Sequence, residues 1–358
     1  MAKRFTVQHD NTRRIFEMNF LEKQNRREAF IRWFAWSLKY KDCDPAVWMT
    51  NYLHERYEHN QEQKLWLAWL YGNTYYLPTA WVLINEFPDF ELATVDRMEK
   101  WNSENYKRLR YQTDTKWNKG HLPTMFASYQ EFIGNGTQRQ RFDSLLDSDP
   151  AKTFDNLWGT VKGSLHKFGR YSTWFYLQHL RHTAGIDMDP TSLMLDDYSG
   201  SRSHRNGLLL ALGKDDDYDR KLGNKDYESL EGQATEILLE VRERYPELAS
   251  EADFFTMETC LCSFKKIFRE HHGRYLGYYL DRQADEIKKV EQDGWHGIEW
   301  EVLWQSRNEI IDPRLDNKRG VDKELYPHFI NTGDILRLDW MYDDINGTNV
   351  GLESFFGE

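Results

Sequence analysis

The sequence predicts a mainly α protein. Apolar residues recur with helical period in most long segments, and clean period-two alternation is scarce. Breaks at Phe87-Pro88-Asp89, Gly134-Asn135-Gly136, Asp149-Pro150, Asp189-Pro190, Tyr245-Pro246 and Asp312-Pro313 separate those segments without forming a long linker. At 358 residues the chain can bury a core of one large domain or of two lobes around a central cleft. The expected division is an N-terminal helical lobe over 1–150, a catalytic lobe over 151–312, and a tail over 313–358 packed on the core.

The elements follow in chain order. Glu28 to Leu38 puts Phe30, Trp33, Phe34 and Leu38 on one side, and Gln63 to Tyr71 carries Leu65, Leu67, Ala68, Leu70 and Tyr71 on a broad apolar face. From Tyr106 to Gly120, helical spacing would align Lys107, Arg110, Tyr111 and Asp114 on one side, with Lys116 and Lys119 as a second pair. Leu165 to Phe175 reads as an apolar segment, a turn at Gly169 and a new helix with Ser172 or Thr173 in its first turn. A further helix runs through Asn206 to Leu212, with Ser199 or Ser201 as its cap. Gln233 to Tyr245 and Gly273 to Val290 complete the helical pattern.

Net charge is -11, which argues against a uniformly basic surface but leaves room for a local basic groove. Val161 to His182 holds Lys162, Lys167, Arg170 and Arg181 and no acid. Two other stretches, Trp101 to His121 and Phe264 to Arg274, are also net basic and interleaved with aromatic rings. Each reads either as a solvated helix face or as a phosphate-binding surface. Three cysteines, Cys43, Cys260 and Cys262, fit a reducing compartment without a disulfide framework. No apolar run approaches the roughly 20 residues of a membrane span, and the N-terminus lacks a signal-peptide pattern, so a cytosolic protein with no membrane partner is expected. P-loop, Rossmann, H-E-x-x-H and G-x-S-x-G patterns are absent.

Two stretches concentrate the chemistry. Phe168-Gly169-Arg170-Tyr171-Ser172 looks like a helix-hairpin-helix, whose turn offers backbone N–H groups to a DNA phosphate, with Arg170 as a charged addition. The alternative is an ordinary turn between two helices. Farther on comes Leu195-Asp196-Asp197-Tyr198-Ser199-Gly200-Ser201-Arg202-Ser203-His204-Arg205-Asn206. It places two carboxylates before a helix start, with Arg202 and Arg205 three apart on one face. Capping plus surface ion pairs is the plainer reading; an anion cradle beside an acid is the functional one. Cys262, although near lysines, reads as a buried structural thiol.

On these residues the chain resembles the bacteriophage amino acid:DNA transferases, the α-glutamyl/putrescinyl thymine pyrophosphorylases. The matching stretches are Trp66 through Thr74, Arg108 through Asp114, Phe168 through Ser172, Leu195 through Gly207, Leu212 through Asp216, and Gly273 through Tyr279. The resemblance implies a helical architecture like that of helix-hairpin-helix DNA glycosylases. It implies transfer of an amino acid or polyamine amine onto 5-pyrophosphorylmethyl-deoxyuridine in DNA with release of pyrophosphate. The partners would be double-stranded phage DNA carrying modified thymidine and a free amine, in the cytoplasm of the infected host.

Under that reading the target base leaves the stack, and an acid deprotonates the attacking amine. Asp197 or Asp196 is the candidate base, with Asp114 in reserve. Arg202, Arg205, Ser201, His204, Asn206, Arg110, Lys116, Gly169, Arg170 and Arg274 are candidates for binding pyrophosphate or DNA, and Tyr111 and Tyr171 for positioning the base. Paired acids near a pyrophosphate leave room for Mg²⁺, and no other cofactor is expected. Two other functions compete: a DNA glycosylase using the same hairpin and aspartate, and a non-catalytic DNA-binding helical protein.

Overall fold

A computed structural model describes residues 22–197, 202–268 and 277–311, and these residues fold into helices joined by turns, with no strand among them. The helices are α1 (Arg26–Lys39), α2 (Pro45–Arg56), α3 (Gln61–Thr74), α4 (Leu77–Glu86), α5 (Val95–Asn105), α6 (Leu122–Ile133), α7 (Gln138–Asp143), α8 (Pro150–Ser164), α9 (Arg170–Ala184), α10 (Ser203–Ala211), α11 (Asn224–Arg244), α12 (Phe254–Phe264), α13 (Tyr278–Gln292) and α14 (Glu301–Ile310). None of the described helices is long and apolar enough to cross a membrane.

Local sequence sets the helix ends. Asn60 opens α3 with a capping box, accepting from Gln63 N while the Gln63 side chain accepts from Asn60 N, both at 3.0 Å. Asp149 caps α8 ahead of Pro150, whose missing N–H is harmless at the first helical position. The Asp42 carboxylate accepts from the backbone N–H groups of Gly277, Tyr279 and Leu280 at 2.9–3.0 Å, so a loop near the N-terminus caps α13.

Buried apolar side chains from Ala29 to Ile311 form one continuous core. Its densest part is aromatic. Trp66 and Trp69 of α3 stack at 5.0 Å, and Trp69 stacks on Tyr129 of α6 at 4.8 Å. The Trp66 indole N–H finds the Phe87 carbonyl at 2.7 Å, so burying the ring strands no donor. Helices α3 and α9 lie side by side, and Gly72 permits this: a Cβ there would stand 2.9 Å from Tyr176 Cβ. The pair sets α9, and with it the hairpin turn, on the core.

Candidate functional site

The hairpin is α8, a turn over 165–169, and α9. Its left-handed residue is Lys167, at φ 67°, whereas Gly169 is extended at φ -76°, ψ -172° and serves as N-cap of α9. The turn therefore does not depend on glycine for backbone freedom. Lys167 and His166 are exposed, and Ser128 of α6 accepts from the His166 N–H at 2.9 Å, pinning the turn.

Arg170, expected at a DNA phosphate, faces the interior instead and is fully buried. It donates to the Leu193 carbonyl at 2.9 Å and to Glu258 Oε1 at 3.3 Å, and lies over the Trp174 ring. A guanidinium in the first turn of a helix whose outer side is packed has no route to solvent, and a buried acid receives it. Glu258 is the hub of this network. Burial raises its pKa, and the Arg170 charge pulls it back. His204 Nδ1 lies 3.5 Å from Glu258 Oε1, and the Cys262 thiol donates to Oε2 at 3.6 Å. Burial holds His204 well below its usual pKa, helped by Arg170 and Arg205, and pushes the Cys262 thiol up to about 12. Cys262 is thus a half-buried thiol far from thiolate formation at neutral pH.

The segment from Leu193 to Asp197 is held from α11. Glu231 accepts from the Leu193 and Leu195 N–H groups, each at 2.8 Å. Asp197 N–H donates to the Met194 carbonyl at 3.2 Å, and Asp197 Oδ2 pairs with the Lys162 ammonium of α8. Asp196 beside it is exposed. The acid Asp197 and the hairpin are therefore joined through Lys162, a partner that sequence reasoning counted only as local charge. Glu231 was missed; it sits among several acids on α11, and no spacing rule singles it out.

Helix α10 reorganises the polar run. Arg202 is its N-cap, outside the helix and exposed, and its guanidinium donates to the Asp219 carbonyl at 3.4 Å. Arg205 is buried and donates to the Tyr227 hydroxyl at 3.1 Å. The two arginines therefore do not share a face, because only the second has helical geometry. Asn206 exchanges hydrogen bonds with Asp219, at 2.6 Å to the carboxylate and 3.3 Å from the Asp219 N–H. Of the residues expected to cradle an anion, His204, Arg205 and Asn206 turn inward and Arg202 stays at the surface. Ser201 and Arg274 lie outside the described residues, as does Ser199.

The stretch after α5 departs from helical geometry. The Thr74 carbonyl, at the open end of α3, accepts from Gln112 N–H at 3.1 Å and from the Thr115 hydroxyl at 2.7 Å. Satisfying that carbonyl draws 106–115 into an irregular path. Arg110 then forms a two-pronged pair with Asp293, at 2.5 and 2.7 Å, and Arg108 donates to the carbonyls of Asp293 and Gly294. Tyr111 is buried, its hydroxyl pKa raised by desolvation. Asp114 and Lys116 remain exposed, and Lys116 lies over the ring of Trp117, which is 73% exposed. Tyr171, in the first turn of α9, meets Tyr75 edge-on at 5.6 Å and Phe175 at 4.7 Å. Burial raises the Tyr171 hydroxyl most, and the Asp114 carboxylate adds to it.

Among the described residues no group of three or more His, Cys, Asp or Glu is arranged to hold a metal ion. What the geometry offers is an acid paired with a lysine, exposed cations at the hairpin and at the start of α10, and a half-buried tyrosine in the first turn of α9.

Residues 34–272 match the family described as amino acid:DNA transferase. The chain is also 30% identical, over 294 residues, to a serinyltransferase of Salmonella phage ViI, an alignment covering 76% of this chain and 71% of that protein. No solved structure matches. The chain belongs to the amino acid:DNA transferase family.

Proposed function

We propose that this transferase joins a free amine to 5-pyrophosphorylmethyl-deoxyuridine in double-stranded phage DNA, in the cytoplasm of the infected host, and releases pyrophosphate. The observation that carries the reading is the Asp197–Lys162 pair, linking the hairpin helix to the segment that leads to Arg202. An acid and cations on adjoining backbone suit a displacement that must accept a proton and release a polyanion.

The step balances simply. The amine nitrogen attacks the exocyclic methylene of the flipped base, the carbon–oxygen bond to pyrophosphate breaks, and the electron pair leaves with pyrophosphate. Asp197 takes the proton, with Asp196 and Asp114 as the alternative bases. Lys162 and Arg202 meet the departing charge, and Arg170 with Glu258 positions the Leu193–Asp197 segment from below. Lys116 and the turn at Gly169 meet DNA phosphates, while Tyr171 contacts the base. The donor is an amino acid; serine is the first to test because the phage ViI relative is named a serinyltransferase.

The test is incubation with DNA carrying 5-pyrophosphorylmethyl-deoxyuridine and serine, glycine, glutamate or putrescine, read by nucleoside mass spectrometry. An amine adduct with loss of pyrophosphate is expected. Abasic sites in place of an adduct would replace this reading with glycosylase chemistry.

A further inference from the structure

A cavity of about 140 Å³ lies between α2, α9 and the start of α12, away from the Asp197–Lys162 pair. Its polar lining is Asp44, Asn51, Gln178, His182, Thr256 and the more exposed Ser250 and Glu251. Gln178 is fully buried, and neither its amide oxygen nor its nitrogen has a hydrogen-bond partner. Asp44 is 6% exposed, and its Oδ2 is likewise without a partner. Orphaned buried polar atoms are rare because each forfeits its hydration. Two side chains doing so on one cavity wall mark it as built for something polar.

The charges say what kind of molecule fits. Asp44 and Glu251 are carboxylates, and no Lys or Arg lines the space. His182 faces Asp253, with Nε2 3.1 Å from Oδ2. Arg282, which acts on Asp44 from α13, is itself paired with Glu286 at 2.5 Å. The Asn51 amide donates to the His182 carbonyl at 3.0 Å, and the Thr256 hydroxyl to the Glu251 carbonyl at 2.9 Å. Among the buried lining groups that leaves Asp44 to accept and Gln178 to donate and accept. A cavity of roughly 150 Å³ holds benzene, so this one takes a ligand of about half a dozen non-hydrogen atoms.

We propose that this cavity binds a small primary amine carrying a neighbouring hydroxyl or carboxyl group, the ammonium on Asp44 and the second group on Gln178. The inference rests on the amine-transfer reading only in identifying that amine with the co-substrate class; the cavity's geometry stands apart from it.

Calorimetric titration of the full chain without DNA tests the proposal, using L-serine, ethanolamine and ethylene glycol. Serine and ethanolamine bind at one per chain, and ethylene glycol, which lacks the ammonium, does not. Asp44→Asn weakens both amines at least about tenfold, the loss expected for a charged hydrogen bond. Gln178→Leu, close in size, weakens serine similarly and melts no lower than the parent, since it removes orphaned polar atoms. Binding of neither amine, or wild-type affinity in both variants, overturns the proposal. The transfer assay separates the two readings. Adduct formation with wild-type amine affinity in both variants sinks the cavity assignment alone, whereas amine binding with no adduct from any donor supports the cavity and sinks the transfer reading.

Discussion

Gly207 of α10 lies directly against the backbone of Leu261 in α12: a Cβ at Gly207 would stand 2.2 Å from the Leu261 carbonyl oxygen. A backbone atom cannot swing aside as a side-chain tip does, so the two helices approach closely only because the residue is glycine. This crossing seats His204 beside Glu258. Gly207→Ala should therefore destabilise the fold by about 3 kcal/mol, the upper range for overpacking a tight core. Urea unfolding measures it, and a loss below about 0.5 kcal/mol would show that the helices part without penalty.

Arg170 and Glu258 form a second dependence, since both are essentially buried. Arg170→Met leaves a carboxylate in the interior without its cation, a change of about 3–5 kcal/mol. Replacing both, as Arg170→Met with Glu258→Leu, should recover most of that loss, because an apolar pair needs no desolvation. A double-mutant cycle in chemical denaturation reports the coupling. Additive effects would mean the pair contributes through packing alone.

The outline of the fold was readable from the chain, and its polar interior was not. The sequence located α1, α3, α10, α11 and α13; α11 and α13 bury a stripe that repeats every three or four residues, whereas α1, α3 and α10 bury runs of successive residues behind a more polar first turn. Helix α4 escaped notice: Leu77 to Ile84 is buried on every side, so no polar face marks its period. Around the candidate site, the sequence located the turn between α8 and α9. It placed Arg170 at a DNA phosphate, because charge in a sequence looks the same whether it meets solvent or a buried acid distant in the chain. Glu258 supplies that partner from 88 residues away. The supposed helix at 107–115 failed for a related reason, since a carbonyl on α3 outbids local propensity.

Stability should fall as pH rises from about 4 to about 7, and Asp44 should supply part of the slope. Burial raises Asp44 to about 7, against roughly 3.9 in an unfolded chain. Between those values the folded state retains a proton that the unfolded state has released, so raising pH favours unfolding; above pH 7 the effect is constant. Asp44→Asn should match the wild type near pH 4 and exceed it at pH 8 by on the order of 2–4 kcal/mol. Residual slope belongs to Asp42, which burial raises to about 8, and to Glu231, Glu258 and Glu286, also raised by burial. Urea midpoints in phosphate, free of amine buffers, decide the matter, and parallel profiles for the two proteins from pH 5 to 8 would count against it.

Trp117 offers a different kind of test. A tryptophan ring 73% exposed, with an ammonium over one face and Lys119 two residues on, has the features of a stacking platform for an unpaired base. Trp117→Ala should weaken binding to DNA containing a mismatched or unpaired base by about tenfold. Stability should stay within about 0.5 kcal/mol, because little buried surface is lost. Fluorescence anisotropy with labelled duplexes gives the first number and thermal melting the second. Equal affinity before and after substitution would assign the ring to the surface alone.

The Asp197–Lys162 pair allows binding and turnover to be separated. If Asp197 accepts the amine proton, Asp197→Asn keeps the shape and the contact with Lys162 but removes the base. The rate of adduct formation should fall about 100-fold or more, the usual contribution of a positioned base, while DNA affinity changes little. Lys162→Met should act differently. On the proposed reading it removes the cation that would meet departing pyrophosphate and leaves Asp197 without its lysine partner, so both turnover and the salt dependence of DNA binding should decrease. Single-turnover kinetics with modified DNA, alongside anisotropy at several salt concentrations, distinguish these outcomes. Full activity in Asp197→Asn would move the base to Asp196 or Asp114, which the same substitution at each position then resolves.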